Sequence, residues 1–479
     1  MSNDGFGLLL SAAKRNKVWQ QLGEKIEDYL TSVDSLPVPQ KTTTEEVQQI
    51  LSQIDFDRPM AVEEVIDWTH THLKKTLLQI ASRDYYGVFN PQASSMSLIA
   101  DAFLAVYNPQ LASTASAMLC IEMENYLIDY FAKKFGLDTP TTKGCFTSGA
   151  TEANFMSLLC ALSRKVENYR DNGLRGIEKW PTVYASVESH GSIKRSCRIS
   201  GLGTDSLRTI PVKANLQMDV ELLEQQIIQD KQNGFQPLMV VANLGSTSSG
   251  TIDAIGEIAK VAQKHNLWFH IDAAWGGAAL MLDDFAYLRK EIAQADSLSF
   301  DPHKWLSVAI GCGMFFVKEG SVLRKTFSIE ATYMPDETQQ HETGEPYRDT
   351  LQWSRRFMGL KLFLTLLVHG EKGYGQAIQH QIEIGAYLKQ QLQANSWEVL
   401  NQTPWPVACF IDGKTKHHPK KILDLVNATG ETWITNTQLM WQNQPVLRVG
   451  ISNFRTQREN IDKLIKILNS ARDQLKAKT

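Results

Sequence analysis

The six cysteines form no CxxC pair: Cys120, Cys145, Cys160, Cys197, Cys312 and Cys409 are scattered along the chain. That spacing suits neither a disulfide framework nor a zinc site, and it predicts reduced thiols in a cytoplasmic protein without a metal. Long apolar runs are also lacking. None approaches the about 20 residues that span a bilayer, so no membrane partner is expected. The stretch from Phe6 to Ala13 is apolar, but no basic residue precedes it. It therefore reads as the start of an amphipathic helix rather than as a secretory signal. There is no excess of either charge: the formal net charge of −3 gives no electrostatic reason to expect nucleic acid. The basic stretch from Lys414 to Lys421 reads as a solvated loop.

What is present is the balance of a globular protein, with 43% hydrophobic and 21% charged residues. A length of 479 residues exceeds one ordinary core, since domains hold roughly 100–200 residues. Residues 1–90 read as a helical arm. Val18, Leu22, Ile26, Tyr29 and Leu30 repeat at helical period until Pro37 and Pro39, and Thr43 with Glu46 makes a capping box before Val47, Ile50 and Leu51. Residues 91–370 read as a large α/β domain. Short apolar runs (Pro237 to Leu244, Leu267 to Asp272, Ser297 to Phe300, Cys312 to Val317) alternate with helical stretches such as Ile255 to His265. That alternation argues for a largely parallel sheet. Residues 371–479 read as a smaller α+β unit. It has a helical pattern from Gly370 to Asn395, a strand from Leu447 to Ser452, and a capping box of Thr456 with Glu459 before Ile461 and Leu464.

Four short segments carry chemistry. Asp301, Pro302, His303, Lys304 and Trp305 follow an apolar strand, and the proline and tryptophan restrain the lysine between them. A lysine that forms a Schiff base must lose its proton, and partial desolvation favours that. Asp272 ends another apolar strand, followed by Ala273, Ala274 and Trp275. Ligands of open α/β sheets bind beyond the carboxyl ends of strands, and a carboxylate there suits the protonated pyridine nitrogen of pyridoxal phosphate. Thr147 to Asn154 is small and hydroxylic and leads into a helical pattern, so the amides of Ala150 and Thr151 could bind phosphate. His190 could stack on an aromatic ring. Each has a plainer reading alone: a surface lysine, a capping aspartate, an N-cap and a structural histidine. The four together are the parts that pyridoxal phosphate requires.

With these motifs the chain resembles the group II pyridoxal-phosphate-dependent decarboxylases, which include the aromatic-L-amino-acid, histidine and glutamate decarboxylases. The resemblance runs from about Tyr85 to Phe357, with a weaker tail near Leu447. Its most specific parts are the segments around Asp272 and Lys304. It implies a fold-type I transferase fold, with a mainly parallel seven-stranded sheet between helices, an N-terminal arm and a small C-terminal domain. It also implies a homodimer with active sites at the interface. By the same resemblance, Lys304 would hold the cofactor covalently, Asp272 would pair with the pyridine nitrogen, and His190 would stack on the ring. Ala150, Thr151 and His303 would hold the phosphate, and Ala274 would pack on the ring face opposite His190. Asn243 and Asp301 would complete the cofactor site, although these positions usually carry threonine and often asparagine in the aromatic decarboxylases.

Tyr333, within Ala331 to Met334, precedes a polar stretch from Pro335 to Tyr347 that resembles the family's mobile catalytic loop. The loop tyrosine there is associated with protonating the carbanionic intermediate, whereas aldehyde-forming relatives tend to carry phenylalanine. The expected reaction is decarboxylation of an L-amino acid to amine and carbon dioxide, a step of amino-acid metabolism. Tyr86 and Phe89, beside Tyr85, hint at an aromatic or bulky apolar substrate. Arg355, beside Arg356, could bind the substrate carboxylate or brace the dimer. The rival readings are oxidative decarboxylation to an aldehyde, transamination, and a non-catalytic homologue that only binds the cofactor.

Overall fold

The computed structural model describes residues 8–329, 345–415 and 417–477. Its centre is a sheet of seven strands: β1 (Lys143–Thr147), β2 (Pro181–Ser186), β3 (Leu207–Ile210), β4 (Gln236–Asn243), β5 (Trp268–Asp272), β6 (Ser297–Phe300) and β7 (Gly313–Val317), in spatial order β1-β7-β6-β5-β4-β2-β3. β7 runs antiparallel to both its neighbours, β1 and β6, and the other pairings are parallel. Parallel strands connected through helices are covered on both faces, so they read as continuous apolar runs. β4 shows this. Val240 and Ala242 point into one core cluster, and Met239 and Val241 into the other, on the opposite face. β5 alternates in the same way, with Phe269 and Ile271 on one face and Trp268 on the other. That alternation puts His270 and Asp272 on the face of Trp268.

A second sheet of four antiparallel strands follows: β8 (Trp397–Val399), β9 (Val407–Asp412), β10 (Thr435–Leu439) and β11 (Gln444–Gly450), in order β10-β11-β9-β8. Helices Pro419–Ala428 and Arg458–Lys476 cover it, and its cluster includes Tyr86, Trp397 and Phe410. The last helix starts one turn position later than the sequence pattern predicts. Thr456 spends its hydroxyl on the carbonyl of Arg83, so Gln457 becomes the N-cap and its amide donates to Asn460 in a capping box displaced by one residue. The long helix Gly359–Ala394 joins the two sheets. It begins well before the predicted Gly370, which instead breaks it with a left-handed φ of 65°. Residues 85–86 pair with Trp433, so the end of the arm lies against the small sheet.

The arm helices, Ala12–Ser32, Thr44–Leu51 and Val62–Thr76, bury no residue completely. The first is capped by Ser11, after the Phe6 to Ala13 stretch has largely passed, and the second has the Thr43–Glu46 capping box that the sequence predicts. Their apolar positions remain open: Trp19 is 52% exposed and Leu73 50%.

One close approach sets the geometry of the site. A Cβ on Gly313 would lie 2.6 Å from the Cα of Gly149 and 2.6 Å from Thr147 Oγ1. The start of helix Ala150–Lys165 therefore sits down on β7 only because residue 313 has no side chain. Gly313→Ala is expected to lower stability by about 1–3 kcal/mol through overpacking, read as a lower urea midpoint.

Candidate active site

The carboxyl ends of β4, β5 and β6 and the start of helix Ala150–Lys165 open onto one cavity of about 310 Å³. Lys304, Asp272, His190, Ala150, Thr151, Asn243, Ala274, Asp301 and His303 all line it. The structure thus brings together nine of the residues singled out from sequence. A larger cavity, about 1060 Å³, lies around Glu124, Lys143 and Arg324 and contains none of the nine. We place the chemistry in the smaller one, because a site is defined by the groups that converge on it rather than by its size.

Lys304 follows β6 on a tight turn closed by its amide to the Asp301 carbonyl, and its Nζ lies 3.0 Å from Asp301 Oδ2. The other oxygen of Asp301 is buried without a hydrogen-bond partner. His303 is anchored by Nδ1, 2.8 Å from the Cys312 carbonyl oxygen, and burial holds its pKa below the ordinary imidazole value. At the helix start, the amides of Glu152 and Ala153 turn back to the Gly149 carbonyl. Those of Ala150 and Thr151 are the free first-turn donors of any helix, and here they face the cavity.

Asp272 is buried, and its partners are all neutral. Asn154 Nδ2 donates to Oδ2 at 2.9 Å, the Ala274 amide to Oδ1 at 3.1 Å, and the Ser299 hydroxyl reaches Oδ1 at 3.4 Å. A buried carboxylate held only by neutral donors is a site for a cation. His190 is the N-cap of helix Gly191–Ile199, and the Ser192 amide donates to its Nδ1 at 3.2 Å. A ring nitrogen that accepts from an amide carries no proton, so the neutral ring keeps its proton on Nε2. Burial holds His190 below the ordinary imidazole pKa, although Asp272 works the other way. Asn243 donates through Nδ2 to Asp253 at 2.9 Å and to Ser189 at 3.0 Å.

The three substrate candidates lie elsewhere. Tyr86 is fully buried in the cluster of the small sheet, with its hydroxyl directed to Asp84. Phe89 stacks on Trp275 at 4.3 Å, under the guanidinium of Arg448 at 4.6 Å, so one ring separates it from the cavity. Arg355 is buried against Glu124, whose other oxygen accepts from the Gly359 amide. It lines the larger cavity. The physical reason is the same for Tyr86 and Arg355: each answers a buried carboxylate, and that fixes where it points. Tyr333 lies outside the described residues.

Sequence reading missed Asn154, Ser192 and His270. The signal was available for His270, because a polar residue two before Asp272 on a strand must share its face. Asn154 needed the helix to be placed against that face first.

A model of the pyridoxal-dependent decarboxylase conserved domain matches residues 46–411. Tryptophan decarboxylase 2 of Oryza sativa subsp. japonica is 24% identical over 475 residues, covering 96% of this chain and 94% of its own length. Phenylacetaldehyde synthase of Arabidopsis thaliana is 22% identical over 459 residues and covers 92% of each chain. The crystal structure of Oryza sativa TDC with PLP and tryptamine aligns at a TM-score of 0.91 and 21% identity, over 97% of this chain and 99% of that one. The residues here suit such a cofactor: free first-turn amides for a phosphate, a carboxylate lacking a cation, and a lysine amine in the same cavity.

The Arg355 placement has a measurable consequence. Arg355→Leu strands the buried Glu124 carboxylate and is expected to cost about 3–5 kcal/mol, read as a lower urea midpoint. Adding Glu124→Leu should recover most of that loss, with the KM for substrate unchanged. A substrate-binding arginine would raise KM in both variants.

Proposed function

The chain belongs to the pyridoxal-dependent decarboxylase family, and from that premise we propose that it converts an L-amino acid with an aromatic or bulky apolar side chain into the amine and carbon dioxide. The convergence of Lys304, Asp272 and His190 on one cavity at a helix start carries this reading. The substrate class is supported by relatives named for tryptophan and tyrosine decarboxylation.

Bound pyridoxal phosphate supplies an electron sink for the pair released when the Cα–carboxylate bond breaks. Lys304 Nζ would hold the cofactor covalently. Ala150, Thr151 and His303 would hold the phosphate, and Asn243 and Asp301 would complete the cofactor site. Asp272 keeps the pyridine nitrogen protonated, a preorganised charge that favours the electron-rich transition state. His190 and Ala274 would pack against the cofactor ring. Tyr333 delivers the proton to Cα.

The reading includes a homodimer of chains divided into an arm (1–90), a cofactor-binding domain (91–370) and a small domain (371–479). Exposed apolar residues support the dimer. Tyr107, Leu119 and Leu367 are each more than 60% exposed, and Ile310, on the cavity rim, is 76% exposed. A cytoplasmic location is supported by six free thiols. Among the described residues, no helix is long and apolar enough to cross a membrane, and no group of His, Cys, Asp and Glu side chains could hold a metal ion.

The test is a screen of purified protein with added pyridoxal phosphate against the common amino acids, following carbon dioxide, amine and aldehyde together. Equal carbon dioxide and amine from an aromatic substrate is the expected result. Carbon dioxide with aldehyde and ammonia would place the chain with the aldehyde-forming relatives, and the same assay on Tyr333→Phe should move the native enzyme that way. Lys304→Ala should lose turnover together with the visible absorbance of lysine-bound cofactor. Full turnover in that variant would remove Lys304 from the mechanism.

A further inference from the structure

Beneath Asp272 runs a buried string of hydrogen bonds. Trp268, His270 and Asp272 share one face of β5, and Asn154 and Ser157, three residues apart on helix Ala150–Lys165, point back at them. Ser297 on β6 is the register partner of His270. His270, Asn154, Ser157 and Ser297 are fully buried.

Chemistry forces the direction of the bonds. Trp268 Nε1 can only donate, and it lies 2.9 Å from Ser297 Oγ and 3.2 Å from Ser157 Oγ. At the other end the Asp272 carboxylate can only accept. The nitrogen of the Asn154 amide must therefore face Asp272 Oδ2, at 2.9 Å, and its oxygen must face His270 Nε2, also at 2.9 Å. That oxygen accepts, so His270 Nε2 carries the proton. In the neutral ring Nδ1 is then an acceptor, 2.8 Å from the hydroxyl of Ser297, which donates to it. Burial favours this neutral ring and pushes the His270 pKa down to about 4, against the pull of Asp272 and of the Ser297 carbonyl. A flipped amide would set an oxygen against a carboxylate. A charged ring would make the Ser297 hydroxyl an acceptor and turn its proton to Ser157 Oγ, 2.8 Å away, so it is burial that disfavours that state.

The same amide nitrogen lies 2.9 Å from Ser192 Oγ, which in turn is 2.9 Å from His190 Nδ1. One amide thus touches the carboxylate directly and the stacking histidine through a hydroxyl. The ionisable group facing His270 is Asp272, and those facing His190 are Asp272, Lys304, Asp301 and Arg195.

We propose that Asn154 and His270 are positioning residues for the decarboxylation: the amide of Asn154, held in one orientation by His270, holds the Asp272 carboxyl in place as a hydrogen-bond acceptor and fixes the ring of His190 before the cofactor arrives. This rests on the assignment of Asp272 and His190 to the pyridine ring.

The test has two parts. Nitrogen-15 NMR of histidine-labelled protein, with and without pyridoxal phosphate, reads the tautomer of His270, assigned by its loss in His270→Gln. A neutral ring protonated on Nε2 across neutral pH is expected. A proton on Nδ1, or a charged ring, overturns the proposal. The second part compares Asn154→Leu, His270→Phe and His270→Gln with Asp272→Asn. Loss of one hydrogen bond to a charged group should raise the dissociation constant for pyridoxal phosphate about ten- to a hundredfold in Asn154→Leu. The pH titration of the bound cofactor's visible band should shift, and kcat should fall with little change in KM. His270→Phe should follow it, and His270→Gln, which keeps an N–H for Asn154, should stay near wild type. Unchanged affinity and pH profile in Asn154→Leu and His270→Phe, beside a collapsed Asp272→Asn, would sink the positioning role alone. An unchanged Asp272→Asn would sink the cofactor assignment itself.

Discussion

A carboxylate withdrawn from water at the end of a central strand has to be answered by something, and the architecture around Asp272 is organised by that demand. The protein answers it from within by neutral donors only, Asn154, Ser299 and the Ala274 amide. Neutral donors hydrogen-bond the carboxylate without supplying a counter-charge, so a cation is the complement it lacks. An arginine at the same place would have satisfied the charge and closed the site. Where the protein does want a buried carboxylate cancelled, it does so, as Arg355 does for Glu124. The two pairs show one chemistry put to opposite uses.

The helix end of the cavity depends on a different constraint, the close seating of helix Ala150–Lys165 on β7. Both constraints act through that one helix. Its first turn presents free amides to the cavity, and its next turn sends Asn154 under the carboxylate. The distance between the first-turn amides and the Asp272 carboxylate is thereby set by the pitch of a single rigid element, which is more reproducible than a distance between two loops. On the far wall, Arg448, Phe89, Trp275 and Trp305 form a continuous stack that ties the small sheet to the cavity.

Much of this was legible in the residues. Strands buried on both faces announce themselves as apolar runs, so β4 to β7 could be read within a residue or two. The segments around Asp272, Lys304 and Thr151 could be placed at strand and helix ends because chain direction fixes which end faces a ligand. Aromatic and charged side chains were harder. Tyr86 and Arg355 look functional in one dimension, since a tyrosine or an arginine near a motif suits either a pocket or a core. Only the partner decides, and the partners, Asp84 and Glu124, are set by tertiary packing. The last capping box slipped by a residue for the same reason, when Thr456 found a carbonyl far off in sequence. Asn154 was illegible because its meaning lies in a bond spanning more than a hundred residues.

The one-way hydrogen-bond string also bears on how such a chain can change over generations. A single replacement at Asn154, or one at His270 that keeps no N–H for it, leaves an orphaned donor on one side and an orphaned acceptor on the other, each a costly group in a dry interior. Two coordinated replacements that restore the direction, or that substitute apolar groups for both partners, are far less costly. Drift through this part of the molecule should therefore move in paired steps, with residues 154 and 270 inherited as a unit even while the surrounding surface diverges freely.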